Sequence, residues 1–72
     1  MEVKIEIDGK EFEITEGMKL KLVRITLGLT EMDVASKMYT TKQTISNIEN
    51  DKASKKMFAL YAFVLQEYIK SN

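Results

Sequence analysis

The sequence predicts a mostly α-helical fold of about four helices, preceded by an N-terminal β-hairpin. The hairpin is predicted from residues 3–14, where apolar and charged side chains alternate on either side of an Asp-Gly pair. The helices are predicted from residue 16 onward, where apolar residues recur at spacings of three and four after good N-cap residues.

Composition predicts one small domain, residues 1–72, that is not an enzyme. The chain is 44% hydrophobic and 31% charged, which is typical of a globular domain. It contains no Cys and no His, and its three Gly residues are isolated at expected turns or caps, which argues against thiolate or imidazole chemistry and a Gly-rich phosphate loop. We therefore expect no cofactor and no metal. Without a membrane-length apolar run or a signal-peptide pattern, a cytoplasmic protein that does not contact membranes is expected.

The charges are divided unevenly along the chain. Residues 1–16 carry six acidic side chains and two lysines, a balance of −4, whereas residues 17–72 carry nine basic and five acidic side chains, a balance of +4. The net charge of zero therefore combines an acidic segment with a basic one. A field of this size neither requires nor excludes a nucleic-acid partner.

The hairpin segment, residues 1–15, has a predictable register. Asp8-Gly9 is typical of a two-residue type I′ turn, and this turn determines which residues face each other. The expected pairs are Val3 with Ile14, Ile5 with Phe12 and Ile7 with Lys10. Because an isolated hairpin is only marginally stable in water, we expect its apolar face either to cover the helical core as a lid or to pair with another chain.

The first helix is predicted to begin after Thr15, an N-cap, and to end at Gly28, a C-cap. Two short helices joined by a tight turn follow. Thr30 is expected to cap the first of these, with Asp33 as its capping-box partner, and Thr41 to cap the second. The buried stripe of the first helix is expected to contain Leu20, Val23 or Arg24, and Leu27.

The helix that begins at Thr41 has an unusual polar face. It buries Ile45 and Ile48, and its remaining side chains are hydrogen-bonding and mostly uncharged: Lys42, Gln43, Thr44, Ser46 and Asn47. Thr, Ser and Asn are weaker helix formers than the Lys and Glu of most exposed helix faces. In the major groove of DNA, Gln and Asn pair with adenine, Lys reaches guanine or phosphate, and the Thr methyl group contacts thymine. The pattern favours a recognition surface, although an ordinary polar face is also compatible with it.

Residues 24–52 resemble the helix-turn-helix of the Cro/CI-type (XRE-like) phage repressor family. The matching positions are Arg24, Gly28-Leu29-Thr30, Ala35 and residues 40–50. The resemblance implies a lambda-repressor-like DNA-binding domain over residues 16–70, with the hairpin as an extension. It also implies a close helix crossing at Ala35 and a structural ion pair between Arg24 and Glu49.

The resemblance further implies a sequence-specific transcriptional regulator that binds a palindromic operator in double-stranded DNA as a homodimer. The helix over residues 41–49 then reads bases with the five polar side chains named above. Thr41, at the helix N-terminus, holds a phosphate. Further phosphate contacts are expected from the following loop and helix start, at Asn50, Lys52, Lys55 and Lys56.

Three positions depart from the family pattern. Glu31 stands where these repressors usually have a Gln whose amide contacts a phosphate. Tyr39 occupies a turn position usually held by Gly, and Asp51 replaces a second Gly after the recognition helix. Where the backbone is left-handed, Tyr is disfavoured and Asp is tolerated better.

The last helix, residues 57–69, is apolar around most of its circumference, which predicts burial on both sides or contact with a second subunit. We expect the homodimer to form through this helix or through the hairpin. The acidic hairpin, Glu31 and this apolar helix also fit a second function. That alternative is a protein-interaction module with a helix-turn-helix fold, such as an anti-repressor or co-regulator, that binds a protein partner and not DNA.

Overall fold

The computed structural model describes residues 3–71, which form two strands and four helices. The elements are β1 (Val3–Ile7), β2 (Lys10–Ile14), α1 (Glu16–Thr26), α2 (Glu31–Lys37), α3 (Lys42–Glu49) and α4 (Lys55–Ser71). The predicted fold class, mostly helical with an N-terminal antiparallel hairpin, is confirmed.

The hairpin has the predicted register. Val3 lies opposite Ile14, Ile5 opposite Phe12 and Ile7 opposite Lys10. The turn residues Asp8 and Gly9 both have positive φ angles, 53° and 78°, as a type I′ turn requires.

The hairpin does not cover the helical core. Ile5, Ile7 and Phe12 remain 40%, 55% and 48% exposed, so the lid interpretation is wrong. Thr15 is the only residue between β2 and α1, and a one-residue connection leaves no loop in which the chain can fold back over the helices. The apolar face of the hairpin is therefore available to another chain.

The helix N-termini are capped as predicted. The side-chain oxygens of Thr15, Thr30 and Thr41 each accept a hydrogen bond from the backbone N–H three residues later, at 3.1–3.3 Å. Asp33 accepts a 2.7 Å hydrogen bond from the backbone N–H of Thr30, which completes the capping box. This bond holds the pKa of Asp33 below its ordinary value.

The first three helices end in the same way, each followed by one residue with a left-handed backbone. These residues are Gly28, Tyr39 and Asp51, with φ angles of 75°, 55° and 62°. At each end two backbone N–H groups bond to carbonyls three and five residues earlier, the Schellman pattern. Gly28 follows the C-cap Leu27 and is not the cap itself. Tyr39 accepts a conformation that costs about 1–2 kcal/mol for an L-residue, and its side chain is 98% exposed.

The core lies between α2, α3 and α4. Among the described residues, six apolar ones are buried there: Val34, Ala35, Ile45, Ile48, Tyr61 and Leu65. On α1, Arg24 faces this core and is 8% exposed, whereas Val23 is 39% exposed. Of the two residues considered for the buried stripe of α1, Arg24 is therefore the buried one. Other apolar side chains of α4 are exposed, at Leu60, Phe63 and Ile69, so α4 is not buried on both sides within the described chain.

Gly17 allows the start of α1 to touch the end of α3. A Cβ atom at this position would lie 2.6 Å from the backbone oxygens of both Ile48 and Glu49. Asp51 joins the same two elements, because its carboxylate accepts hydrogen bonds from the backbone N–H of Gly17, at 3.0 Å, and from the hydroxyl of Thr15. The expectation that every glycine lies at a turn or cap is therefore wrong for Gly17, which lies in the first turn of α1 at a helix contact.

Replacing Gly17 with Ala is expected to lower the free energy of unfolding by about 1–3 kcal/mol, because the backbone carbonyls that meet the new methyl group cannot move aside without separating α1 from α3. Urea denaturation followed by circular dichroism measures the change. Lys21→Ala, on the exposed side of α1, is the matched control and is expected to change stability by less than about 0.5 kcal/mol. Equal stability of the two variants would contradict the close contact at Gly17.

Candidate nucleic-acid interface

The polar residues of α3 lie opposite its buried side. Ile45 and Ile48 are completely buried, and Glu49 is 6% exposed. Lys42 and Gln43 are exposed, whereas Thr44, Ser46 and Asn47 are partly buried. The five residues predicted to read bases thus lie together on one short helix, and Lys42 and Gln43 are the more exposed of them.

Hydrogen bonds between side chains order this face. The Gln43 amide nitrogen donates to the Asn47 side-chain oxygen at 3.1 Å, and the hydroxyls of Thr41 and Thr44 lie 3.1 Å apart. After the Gln43–Asn47 bond is formed, the Gln43 amide still has an acceptor oxygen and a second N–H to offer. These are the groups that a bidentate contact with adenine requires.

The N-terminus of α3 is favourable for an anion. The first turns of α1 and α2 contain acidic side chains, Glu16 in one and Glu31 with Asp33 in the other, but the first turn of α3 contains none and begins with Lys42. The partial positive charge of the helix terminus is therefore not compensated there. Thr41, the N-cap, lies at this terminus.

The residues predicted to contact phosphate differ in how firmly they are placed. The backbone N–H of Lys52 donates to the carbonyl of Asn47 at 2.8 Å, which holds Lys52 beside the end of α3. The Asn50 amide donates to the carbonyl of Ser46 at 2.9 Å and so satisfies a helix carbonyl, although Asn50 remains exposed. Lys55 and Lys56 are exposed in the first turn of α4.

A buried ion pair fixes α3 to the other helices. Arg24 Nε lies 2.7 Å from one Glu49 carboxylate oxygen, and Arg24 Nη2 lies 3.2 Å from the other. The third nitrogen of Arg24 donates to the carbonyl of Leu29 at 2.8 Å. The ion pair implied by the family resemblance is therefore present, in a two-point geometry typical of strong Arg–carboxylate pairs.

Tyr61 completes this buried network and was not foreseen in that role. Tyr61 lies in the apolar helix predicted over residues 57–69, but its hydroxyl donates to Glu49. The signal that was available is general: a fully buried Tyr hydroxyl usually has a hydrogen-bond partner. No buried side-chain nitrogen or oxygen among the described residues lacks a hydrogen-bond partner.

The network changes the protonation equilibria of its members. The hydrogen bond to Glu49 raises the pKa of Arg24 above its ordinary value. Burial, followed by the hydrogen bond to Glu49, raises the pKa of Tyr61 well above its ordinary value of 10.0. The guanidinium and the phenol are thus both held in their protonated forms beside the Glu49 carboxylate.

Other common types of site are not found in residues 3–71. They contain no group of three or more His, Cys, Asp or Glu side chains that could hold a metal ion. Among the same residues, no helix combines the length and apolar character needed to cross a bilayer. No protein-family model, curated protein or solved structure matches the chain significantly. The geometry of α3 and its surroundings is therefore the basis for inferring a function.

Replacing Arg24 with Met is expected to lower the free energy of unfolding by about 3–5 kcal/mol, because the Glu49 carboxylate would stay buried without its charge partner. Thermal and urea unfolding measure the loss. The matched control is Lys19→Met on the same helix, where the exposed ion pair with Glu16 at 3.3 Å is expected to contribute less than about 1 kcal/mol. An Arg24 variant as stable as the control would contradict the buried ion pair.

The raised pKa of Tyr61 predicts a loss of stability in alkaline solution. The buried phenol contributes fully to the free energy of unfolding below its unfolded-state pKa, near 10.0. This contribution falls as the pH rises from there toward the higher pKa of the folded state. With Tyr61→Phe, the free energy of unfolding is expected to be about 1–3 kcal/mol lower at neutral pH and to fall less steeply above pH 10. Urea unfolding over that pH range, with Tyr39→Phe as the exposed control, measures both effects. Parallel pH curves for Tyr61→Phe and the unmodified protein would contradict the burial of this hydroxyl.

Proposed function

We propose that the protein is a sequence-specific DNA-binding transcriptional regulator, of phage or mobile-element type, that binds a palindromic operator as a homodimer through α3. The observation that carries this proposal is the division of α3 into two sides. One side is buried through Ile45 and Ile48 and fixed by the Glu49 ion pair, and the other presents hydrogen-bonding side chains to solvent. A helix held rigidly with such a face outward suits the major groove. Such a regulator acts in the cytoplasm.

The proposed base readers divide into a centre and a border. Gln43 and Asn47 form the centre, because the hydrogen bond between their side chains orients both amides before the protein binds DNA. Lys42 lies at the exposed end of the helix, where it reaches a guanine or a phosphate. Ser46 and Thr44, both partly buried, make shorter-range contacts at the border of the face.

The proposed phosphate contacts surround this centre. Thr41 and the uncompensated N-terminus of α3 receive one phosphate. Lys52, fixed beside the end of α3, approaches a second. Lys55 and Lys56 add positive charge at the start of α4, where Lys opposes the helix dipole and therefore serves a role other than helix stability. Asn50 contacts a phosphate from its exposed side, while its side-chain amide donates to the carbonyl of Ser46 at the end of α3.

A dimer is part of the proposal because one eight-residue helix contacts only a few base pairs. Two copies related by a two-fold axis read two half-sites, which multiplies specificity and requires a palindrome. Exposed apolar side chains on the hairpin and on α4, among them Phe12 and Phe63, are available for the contact between copies.

The second candidate function is a protein-interaction module, and a groove between the end of α2 and α4 favours it. Tyr39, Phe63, Val64 and Tyr68 line this groove together with Lys37 and Glu67. Tyr39 is 98% and Phe63 58% exposed, and aromatic side chains of this kind are frequent anchors in protein interfaces. In this function the protein acts as an anti-repressor or co-regulator and does not contact DNA.

The two functions are separated by a binding experiment. Duplexes selected by the protein from a random library, and the promoter region beside its own gene, are measured by fluorescence anisotropy across a salt series with random DNA as competitor. A regulator is expected to bind one sequence in the presence of competitor, with an affinity that falls linearly in log salt. Absence of binding even at low salt would contradict the proposal and favour the protein-interaction module.

Gln43→Ala and Lys55→Ala are expected to affect DNA binding differently. Gln43→Ala is expected to cost about 1–3 kcal/mol at one base position and to leave non-specific binding nearly unchanged. Lys55→Ala is expected to weaken binding to all sequences alike and to reduce the salt slope by about one. Lys70→Ala, which removes the same charge about 22 Å further along α4, is the control and is expected to change neither. Equal loss on all sequences for Gln43→Ala would contradict its role as a base reader.

A further inference from the structure

The hairpin has an apolar face that the described helices leave exposed. Ile5, Ile7 and Phe12 are 40%, 55% and 48% exposed. An isolated two-stranded hairpin is only marginally stable in water, whereas three or more strands with an apolar face form a stable sheet. The hairpin therefore gains stability from additional strands, and β1 and β2 each present one open edge.

The open edge of β1 is formed by the backbone of Lys4 and Glu6. Alternate residues of an antiparallel strand direct their N–H and C=O groups to opposite sides. Ile7 and Lys10 flank the two-residue turn and bond to each other, so the groups of Ile7 point toward β2. By alternation, the backbone groups of Lys4 and Glu6 point away from β2, toward a neighbouring strand.

The charges on this edge are complementary to themselves about a two-fold axis. When β1 pairs with a second copy of β1 about an axis through Ile5, Lys4 lies opposite the partner's Glu6, and Glu6 lies opposite the partner's Lys4. Within its own hairpin Glu6 lies directly opposite Glu11, a like charge. Lys4 contacts Glu11 at 3.4 Å, but this pair is exposed and leaves room for a second acidic neighbour. Registers centred on Lys4 or on Glu6 would place like charges opposite each other.

The edge of β2 is not complementary to itself. The residues whose backbone groups point outward from β2 are Glu11 and Glu13. A two-fold axis through Phe12 would place Glu11 of each copy opposite the partner's Glu13. An axis through either glutamate would place it opposite its own copy. Like charges directly opposite each other on neighbouring strands destabilise a sheet. Pairing β1 with the partner's β2 would leave an open edge at each end, so it would not close into a dimer.

We propose that two copies of this chain associate through β1, antiparallel and centred on Ile5, to form a four-stranded sheet with the order β2-β1-β1-β2. The register keeps Ile5, Ile7 and Phe12 of each copy on one continuous apolar face. This interface specifies how the homodimer of the proposed function forms, and its biological role rests on that proposed function.

Amide hydrogen exchange measured by NMR on the DNA-free full chain tests the edge directly. As the protein concentration rises, the amide protons of Lys4 and Glu6 are expected to exchange more slowly, because each becomes bonded across the two-fold axis. The amide of Glu11, on the outer edge of β2, is expected to keep its exchange rate. Sedimentation over the same concentrations provides the dissociation constant of the dimer.

Two matched charge reversals test the register. Glu6→Lys and Glu11→Lys make the same charge change in the same cross-strand pair, and each creates an opposite-charge pair within the hairpin. Only Glu6→Lys places lysines opposite each other across the axis. It is expected to weaken the dimer about tenfold, because both Lys4–Glu6 pairs across the axis change from attractive to repulsive. Glu11→Lys is expected to leave the dimer unchanged. Adding Lys4→Glu to Glu6→Lys is expected to restore the dimer.

Several results would overturn the proposal. They are a chain that stays monomeric at all concentrations, a dimer in which Lys4 and Glu6 exchange at unchanged rates, and equal effects of Glu6→Lys and Glu11→Lys. The second of these would indicate a dimer formed through α4. Binding of α3 to a single half-site is measured separately, so DNA binding without this interface leaves the proposed function intact. A β1 dimer that binds no DNA leaves the interface intact.

Discussion

The arrangement of the helices depends on the buried network of Arg24, Glu49 and Tyr61. Arg24 belongs to α1, Glu49 to α3 and Tyr61 to α4, and Arg24 also holds the carbonyl of Leu29 just before α2. Two charges taken out of water are stable only when both are paired and hydrogen-bonded, which leaves few alternative positions for the helices that supply them. In a chain of 72 residues with a small apolar core, this requirement adds positional specificity that apolar packing lacks.

The same network links the fold to the proposed function through α3. Glu49 is the last residue of α3, and Asp51, just beyond it, holds the start of α1 through Thr15 and Gly17. Both contacts act at the end of α3 that leads into the loop containing Lys52. The contacts that fix the position of α3 therefore lie on its buried side and at its C-terminal end, away from its polar face. Because the net charge is zero, the proposed function requires that attraction to DNA come from the local placement of lysines, and discrimination from the side chains of α3.

The hairpin and the helices differ in charge. The hairpin segment is acidic and the helical segment basic, which fits the proposed contacts of the helices with DNA and of the hairpin with a second copy of the chain. The hairpin extends from the start of α1, and the longest dimension of the molecule is 40 Å.

The sequence by itself determined the features that depend on residues close together in the chain. The turn at Asp8-Gly9 and the hairpin register follow from backbone preferences of neighbours, and the caps at Thr15, Thr30 and Thr41 from side chains that reach three residues along. The Arg24–Glu49 pair was expected only through the family resemblance, because no local rule joins residues 25 apart. The tertiary structure decided that Arg24 and not Val23 faces inward, that Gly17 lies at a helix contact, and that the hairpin is no lid. It also decided the Tyr61–Glu49 and Thr15–Asp51 contacts, across 12 and 36 residues. These features could not be predicted because they depend on which surfaces meet after the chain has folded, and helical periodicity specifies a buried side of each helix but not its neighbour.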